Sequence, residues 1–194
     1  SMLRNQGKNP TLGNRISELG HNWRIGELAA VLGVQQMEAA PRILADRGRI
    51  SEFYDHALRD MDGLRPMSIP PNTTSSYYKY IAYLDSAYQR GEVKRVMKEK
   101  YGVNLTGEVY ADLCHTEPLW ENYSYCGKRK TDPELVQCTR WPGCGCKDPQ
   151  EGFPGAEYLS QHHICLPMYP GLDEAELAHV VDSLGKTLHH DLKP

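Results

Sequence analysis

The sequence has no long apolar segment and almost no imbalance of charge. Its apolar runs fall well short of the roughly 18 residues that a membrane helix needs, and its first ten residues, SMLRNQGKNP, lack the apolar core of a signal peptide. The 22 Lys and Arg against 25 Asp and Glu give a formal net charge of −3, which provides no broad basic surface for nucleic acid or an anionic membrane. We therefore expect a cytoplasmic protein that binds neither nucleic acid nor a membrane.

The common catalytic signatures are also missing. No Gly-rich phosphate loop joins a predicted strand to a helix, and there is no GxSxG or HExxH motif. Six cysteines are present, which in a reducing compartment are free thiols or metal ligands rather than disulfides. Cys138, Cys144 and Cys146, with His162 or His163, have the ligand types of a Cys3His zinc site, but their spacing differs from the C-x2-C pairs of zinc ribbons. We predict no bound metal, and a metal-binding module on these cysteines is the alternative.

The first 60 residues predict a loop followed by helices. Residues 3–24 are rich in Gly, Asn and Arg and lack periodicity, so we expect a loop there. Apolar residues then recur at helical spacing from Gly26 to Met61, and Pro41 suits the first turn of a second helix. The pattern thus predicts two consecutive helices, with Asp62-Gly63 as the stop. Their apolar face is expected to be exposed and to drive association, and it includes Leu28, Val31, Leu32, Ile50 and Phe53.

The remainder predicts a small sheet with flanking helices, an α+β fold. Strands are expected at Ser76–Asp85, where Tyr and Ile are dense, at Val103–Tyr110, which alternates, and at His163–Leu166. Helices are expected at Gly91–Tyr101, ended by Gly102, and after Asp173, which with Glu176 has the spacing of a capping box. Residues 111–160 contain five prolines and predict a long irregular stretch.

Several blocks of the sequence, in order, resemble one enzyme family. They are LRNQG (Leu3 to Gly7), GHNWR (Gly20 to Arg24), ELAAVLGVQQM (Glu27 to Met37), SSYYKYIAYL (Ser75 to Leu84), GEVY with CHTEP (Gly107 to Tyr110, Cys114 to Pro118) and FPGAEYLSQHHICLPMYPGLDEAEL (Phe153 to Leu177). This order is similar to that of the DegT/DnrJ/StrS class of pyridoxal-phosphate aminotransferases, which make amino sugars and aminocyclitols.

The resemblance implies a position within a longer enzyme. Residues 1–25 would be a loop from the large domain that carries the family's G-x-N-x-R motif, and residues 26–194 the small C-terminal domain of a fold-type I transferase, with a Cys-containing insertion at 111–160. The family's Schiff-base lysine would lie upstream. Ser1-Met2 is typical of a scar left by tag removal. We therefore expect a C-terminal fragment that is inactive alone and holds no pyridoxal phosphate.

The resemblance also implies an activity for the complete protein. The family passes an amino group from glutamate or glutamine to a ketone on a nucleotide-linked sugar or a cyclitol, with pyridoxal 5'-phosphate as cofactor, and we expect a homodimer. A binding or assembly module without catalysis, docked on a separate N-terminal chain, is a further alternative.

Three residues of this chain match family positions with a role in binding. In the family the asparagine that Asn22 matches donates a hydrogen bond to the cofactor phosphate of the neighbouring subunit; its alternative is a turn residue before the first helix. Arg24 would bind a substrate phosphate or carboxylate, or else anchor the loop through an ion pair. His115 would orient a substrate hydroxyl, or else is an ordinary loop histidine. No residue of this chain is predicted to be catalytic.

Overall fold

The computed structural model describes residues 2–105, 107–108, 112–119 and 153–192. Contacts divide the chain into two units, Ser1–Ala45 and Asp46–Pro194. The boundary predicted at residue 25 concerns the origin of each part in a longer protein, and it stays a prediction. Within the described ranges no helix combines the length and the apolar character needed to cross a membrane.

The first unit begins with a small hairpin. Strand β1, Lys8–Asn9, pairs antiparallel with β2, Arg15–Ile16, and a 3-10 turn, Pro10–Leu12, lies between them. The Asn9 side chain caps this turn by accepting from the Thr11 N–H at 3.0 Å. The loop predicted at residues 3–24 therefore contains a small hairpin. The correction is small because each of the two strands is only two residues long.

A single helix, α1, spans Glu27–Ala57, so the prediction of two consecutive helices is wrong. Pro41 lies inside α1, where its missing N–H and its ring cost about 3 kcal/mol. The helix continues because Ala39 and Ala40 favour it on one side. On the other side Ile50 and Tyr54, both 0% exposed, fix it in the core of the second unit.

The predicted exposed face of the helix is confirmed in its first half alone. Leu28, Val31 and Leu32 are 63–83% exposed. Ile50, by contrast, is completely buried, and Phe53 packs against the core. The expectation that these two are exposed is wrong because the second half of α1 packs against the sheet of its own unit.

The second unit contains an antiparallel sheet in the order β3-β4-β5, formed by Leu64–Pro66, Tyr80–Leu84 and His163–Leu166. In the central strand every second side chain, from Tyr80 to Leu84, is buried. The prediction of a strand at 76–85 is confirmed over a shorter range, and that at His163–Leu166 is confirmed at its predicted bounds. Strand β3 was not predicted.

Three helices accompany this sheet: α2, Arg90–Tyr101, α3, Pro154–His162, and α4, Glu174–Lys186. Gly102, at φ 71°, ends α2 as predicted. The predicted capping box is confirmed, because Asp173 accepts from the Glu176 N–H at 2.8 Å and the Glu176 carboxylate accepts from the Asp173 N–H at 3.0 Å. A last turn, Thr187–Asp191, follows α4.

Two predictions in the middle of the chain are corrected. Residues 103–105 and 107–108 are not part of the sheet, although Val103 and Leu105 are buried in the core as the alternating pattern suggests. The part of the predicted irregular stretch at 154–160 belongs to helix α3, and Cys114–Thr116 forms a 3-10 turn. Residues 109–111 and 120–152 lie outside the described residues. The predicted α+β class is confirmed.

Candidate functional site

Asn22 lies on a strip of backbone that is paired with the start of the chain. Asn5 and Asn22 form an antiparallel bridge. On either side of it the His21 N–H donates to the Leu3 carbonyl at 2.8 Å, and the Trp23 N–H donates to the Arg4 carbonyl at 3.0 Å. The two sequence blocks LRNQG and GHNWR are therefore hydrogen-bonded to each other.

Two glycines permit this close pairing. A Cβ atom on Gly20 would lie 2.2 Å from the Gly7 nitrogen, and one on Gly7 would lie 1.8 Å from the Glu18 carbonyl oxygen. Any side chain at either position would push the two segments apart. The absence of a side chain at these two positions thus permits the paired backbone from which the Asn22 side chain projects.

The Asn22 amide is oriented by Arg24, whose Nε donates to Asn22 Oδ1 at 2.7 Å. A guanidinium group can only donate, so the amide oxygen must face it and the Nδ2 amino group faces the other way. Both side chains are exposed. The pair therefore presents two amide N–H donors beside a permanent positive charge, a combination that suits a phosphate oxygen.

Neighbouring contacts bear on the alternatives for these two residues. The His21 ring stacks on Trp23 with centroids 4.4 Å apart and an interplanar angle of 12°. In the part of the chain that the structure describes, Arg24 forms no ion pair, so its observed role is to orient Asn22. Asn22 belongs to a bridged strip of backbone and is followed four residues later by Gly26, at the start of the helical region.

His115 lies in the second unit, in the 3-10 turn Cys114–Thr116, and its side chain is only 10% exposed. The Thr116 N–H and hydroxyl both donate to the Leu113 carbonyl at 2.9 Å, which fixes this turn. His115 Nε2 lies 3.2 Å from Glu157 Oε1. The Phe153 ring packs against the imidazole with centroids 4.7 Å apart.

Glu157 is part of this site although the sequence did not single it out. It stands in the first turn of α3 and its Oε1 also accepts from the Phe153 N–H at 3.0 Å. That backbone donor, with a smaller contribution from His115, lowers the pKa of the Glu157 carboxyl. Glu157 is therefore a carboxylate near neutral pH. Glu157 lies 42 positions from His115, so no local spacing in the sequence pairs the two residues. The sequence pointed to Glu157 only as the last letter of PGAE, which belongs to the last block that resembles the family.

Helix α3 is held in place by α2. The Arg90 guanidinium, at the start of α2, donates to the Ser160 carbonyl of α3. This hydrogen bond ties the helix that carries Glu157 to the core helix α2, whose Val93 and Met97 are fully buried. Lys94, one turn further along α2, pairs with Glu108 and lowers the pKa of that carboxyl.

The predicted site residues form two groups, Asn22 with Arg24 in the first unit and His115 in the second. The cysteines proposed as metal ligands, Cys138, Cys144 and Cys146, lie outside the described residues. Within the described ranges, no three His, Cys, Asp or Glu side chains are grouped as metal ligands would be.

A protein-family model matches most of the chain. The model of the DegT/DnrJ/EryC1/StrS aminotransferase family matches residues 1–139. These residues include Asn22, Arg24 and His115, whereas Glu157 lies beyond the matched range.

Individual proteins are similar over nearly the whole chain. A Bacillus subtilis protein named as a pyridoxal phosphate-dependent aminotransferase, EpsN, is 25% identical over 96% of this chain and 42% of its own length. The dTDP-4-dehydro-2,3,6-trideoxy-D-glucose 4-aminotransferase of Saccharopolyspora spinosa is 27% identical over 92% of this chain and 38% of its own length. The chain thus spans about two fifths of these relatives.

A solved structure supports the fold. The crystal structure of the aminotransferase TlmJ from Streptoalloteichus hindustanus matches 99% of this chain and 44% of that chain, with a TM-score of 0.61 and 24% identity. At this level of identity the likeness concerns the fold alone.

Proposed function

The chain belongs to the DegT/DnrJ/EryC1/StrS aminotransferase family, and from that premise we propose that it serves the transfer of an amino group from glutamate or glutamine to a keto group on a nucleotide-linked sugar or a cyclitol. The observation that carries the proposal is the Asn22 amide, which Arg24 holds with its two N–H donors turned away. The printed activity of the Saccharopolyspora spinosa relative, on a dTDP-linked dehydro sugar, supports a ketone of this class.

The residues present fit the phosphate of pyridoxal 5'-phosphate. An anion needs donors and positive charge, and Asn22 and Arg24 offer both on an exposed strip of backbone. When bound, the cofactor supplies the electron sink through which an amino group moves between donor and ketone. The role of Asn22 is to hold the phosphate, and the role of Arg24 is to keep the Asn22 amide in the donating orientation. Residues 26–194 would be the small domain of the complete enzyme, and the complete enzyme would be a homodimer.

His115 serves the ketone substrate in this proposal. Its ring is largely buried and held on one side by Phe153 and at Nε2 by Glu157. A neutral imidazole with Nε2 protonated has an acceptor at Nδ1, which suits a sugar or cyclitol hydroxyl. Arg24 would bind a substrate phosphate or carboxylate only in a state in which its guanidinium group is not hydrogen-bonded to Asn22.

The test of the phosphate contact is Asn22→Asp in the complete protein encoded by the gene that carries this chain. Aspartate keeps an oxygen for Arg24 but loses both N–H donors and adds a negative charge. Loss of one hydrogen bond to a charged group costs about 1.5 to 3 kcal/mol, so the dissociation constant of pyridoxal phosphate should rise at least ten- to a hundredfold. Asn14→Asp, the same change at an exposed turn residue of the hairpin, should leave it unaltered.

If Asn22 is only a turn residue, Asn22→Asp should leave cofactor affinity intact and lower the melting temperature instead. That result would contradict the proposed role.

Mixed dimers test whether the contact crosses between subunits. Subunits carrying Asn22→Ala are combined with subunits that lack the Schiff-base lysine, and only mixed dimers are assayed. A contact across the interface puts both defects in one site, so about one active site per dimer survives. A contact within each subunit damages both sites and leaves almost no activity.

A further inference from the structure

One carboxylate oxygen of Glu157 contacts both the backbone at the start of α3 and the ring of His115. One oxygen, Oε1, lies 3.0 Å from the Phe153 nitrogen and 3.2 Å from His115 Nε2. The Phe153 N–H lies at the start of α3 and donates to the carboxylate in the first turn of the same helix, so this hydrogen bond holds Oε1 in place. The carboxylate is therefore fixed before His115 contacts it.

A fixed carboxylate determines which His115 nitrogen carries hydrogen. Because a carboxylate only accepts, Nε2 must be the donor, and in the neutral ring Nδ1 is then the acceptor. The Phe153 ring, 4.7 Å from the imidazole, restricts the remaining rotation. In the described part of the chain, no residue forms a hydrogen bond with Nδ1.

We propose that Glu157 is a positioning residue, which holds His115 in the Nε2–H form and turns its Nδ1 toward a hydroxyl group of the ketone substrate. The inference rests on the proposed function for its substrate, but not for the Glu157–His115 pair itself. It assigns Glu157 no contact with the substrate and no proton transfer. Its role is to remove the rotational and tautomeric freedom that the His115 ring would otherwise have.

The first arm of the test is NMR of the imidazole nitrogens in the 194-residue chain, without substrate. His115 should show a hydrogen-bonded Nε2–H signal protected from exchange with water. His162 provides an internal reference, because its Nδ1 lies 2.9 Å from the Tyr158 carbonyl and must carry the hydrogen there. Glu157→Ala should remove the protected His115 signal while that of His162 persists, which shows that α3 is still folded.

Two further variants separate positioning from other effects. Glu157→Gln keeps an oxygen that can accept from both Phe153 and His115, so it should retain the protected signal and most of the activity. Glu174→Ala removes a first-turn carboxylate from a different helix, α4, and should change neither. Loss of the signal in Glu174→Ala as well would show a general helix effect and overturn the inference.

The second arm is kinetics of the complete protein. Loss of one oriented hydrogen bond to a neutral hydroxyl should raise KM for the ketone roughly three- to tenfold in Glu157→Ala, with Glu157→Gln close to the parent. The half-reaction with the amino donor should be unchanged, since no ketone is present. Equal losses in both half-reactions, or no loss in either, would overturn the positioning role. Failure of the proposed function itself is recognised separately, as unaltered cofactor affinity in Asn22→Asp.

Discussion

At the scale of single residues, the loop after β5 is held by side chains of α1. Tyr54 donates its hydroxyl hydrogen to the Pro167 carbonyl at 3.0 Å, and burial raises the pKa of that hydroxyl, so it stays a donor over the whole working range of pH. Asp46 Oδ2 accepts from the Gly171 N–H at 2.6 Å. These contacts fix residues 167–172, and Gly171 can complete them because it adopts φ 91°.

Gly171→Ala should therefore destabilise the protein. Any Cβ would have open space around it, so the cost is the backbone strain of a left-handed alanine, about 1 to 2 kcal/mol. For a chain of this size we expect a fall in melting temperature of roughly 2 to 8 °C, measured by circular dichroism. Gly155→Ala is the matched control, since Gly155 lies in α3 with open space and a right-handed backbone, and alanine there should keep or raise the melting temperature. Equal losses in both variants would show that φ is not the cause.

At the scale of elements, local signals located α2, β5 and α4 correctly. Gly102 ends α2 by its left-handed backbone, and Asp173 with Glu176 starts α4, each within a few residues of sequence. Such signals act in the same way wherever the segment lies in the fold. These elements could therefore be predicted from the sequence alone.

Elements that depend on packing between segments distant in the sequence could not be predicted in this way. Pro41 indicates a helix start, but α1 continues through it. The later part of the helix is stabilised by Ile50 and Tyr54, which are buried in a core that includes side chains of the sheet, and the sheet strands are distant in sequence. Val103 and Leu105 have strand alternation and are buried, yet their backbone does not pair with the sheet. In the candidate site, Asn22 and Arg24 are two positions apart and were found together, whereas the Glu157–His115 pair arises only from the fold.

The last turn of the chain is fastened to the end of α2. Asp191 accepts from Lys100 Nζ at 2.5 Å and from the Tyr101 hydroxyl at 2.7 Å. Lys100 first, and Tyr101 second, lower the pKa of the Asp191 carboxyl. A carboxyl whose pKa is lower in the folded than in the unfolded state stabilises the fold at pH values above its unfolded pKa. That stabilisation is lost as the pH falls toward the folded pKa.

Asp191→Asn should consequently lower the urea midpoint near pH 6, and the difference from the parent should narrow as the pH falls below about 4. The measurement is urea unfolding at a series of pH values. Asp182→Asn removes a 59% exposed carboxylate that pairs with Lys186 four residues later, and should have little effect at any pH. A difference for Asp191→Asn that stays constant down to pH 2 would mean that its charge is not involved.

At the scale of the whole molecule, the two units differ in what they bury. The second unit has a core of the sheet, the second half of α1 and the helices α2 and α4, in which Leu177, Leu184 and Leu188 are completely buried. In the first unit the exposed apolar face of α1, formed by Leu28, Val31 and Leu32, is in contact with solvent. A groove of about 560 Å³ in the same unit has Ile25, Val34 and Met37 among its lining residues. Such apolar surface is a driving force for association.

We therefore expect the isolated chain to pair with a second copy of itself through this exposed apolar face, since a symmetric dimer is the common solution for one self-complementary surface. Sedimentation should show a dimer whose share grows with concentration. Leu28→Glu with Leu32→Glu places two charges one helical turn apart on the face. Because burial of each leucine contributes about 1.5 to 3 kcal/mol, the pair of substitutions should weaken association at least tenfold. Leu19→Glu, at a 96% exposed position outside the helix, makes the same chemical change and should leave association unaltered. A chain that remains a monomer at the highest concentrations, or a dimer that persists in the double variant, would mean that the exposed apolar face does not drive association of this chain.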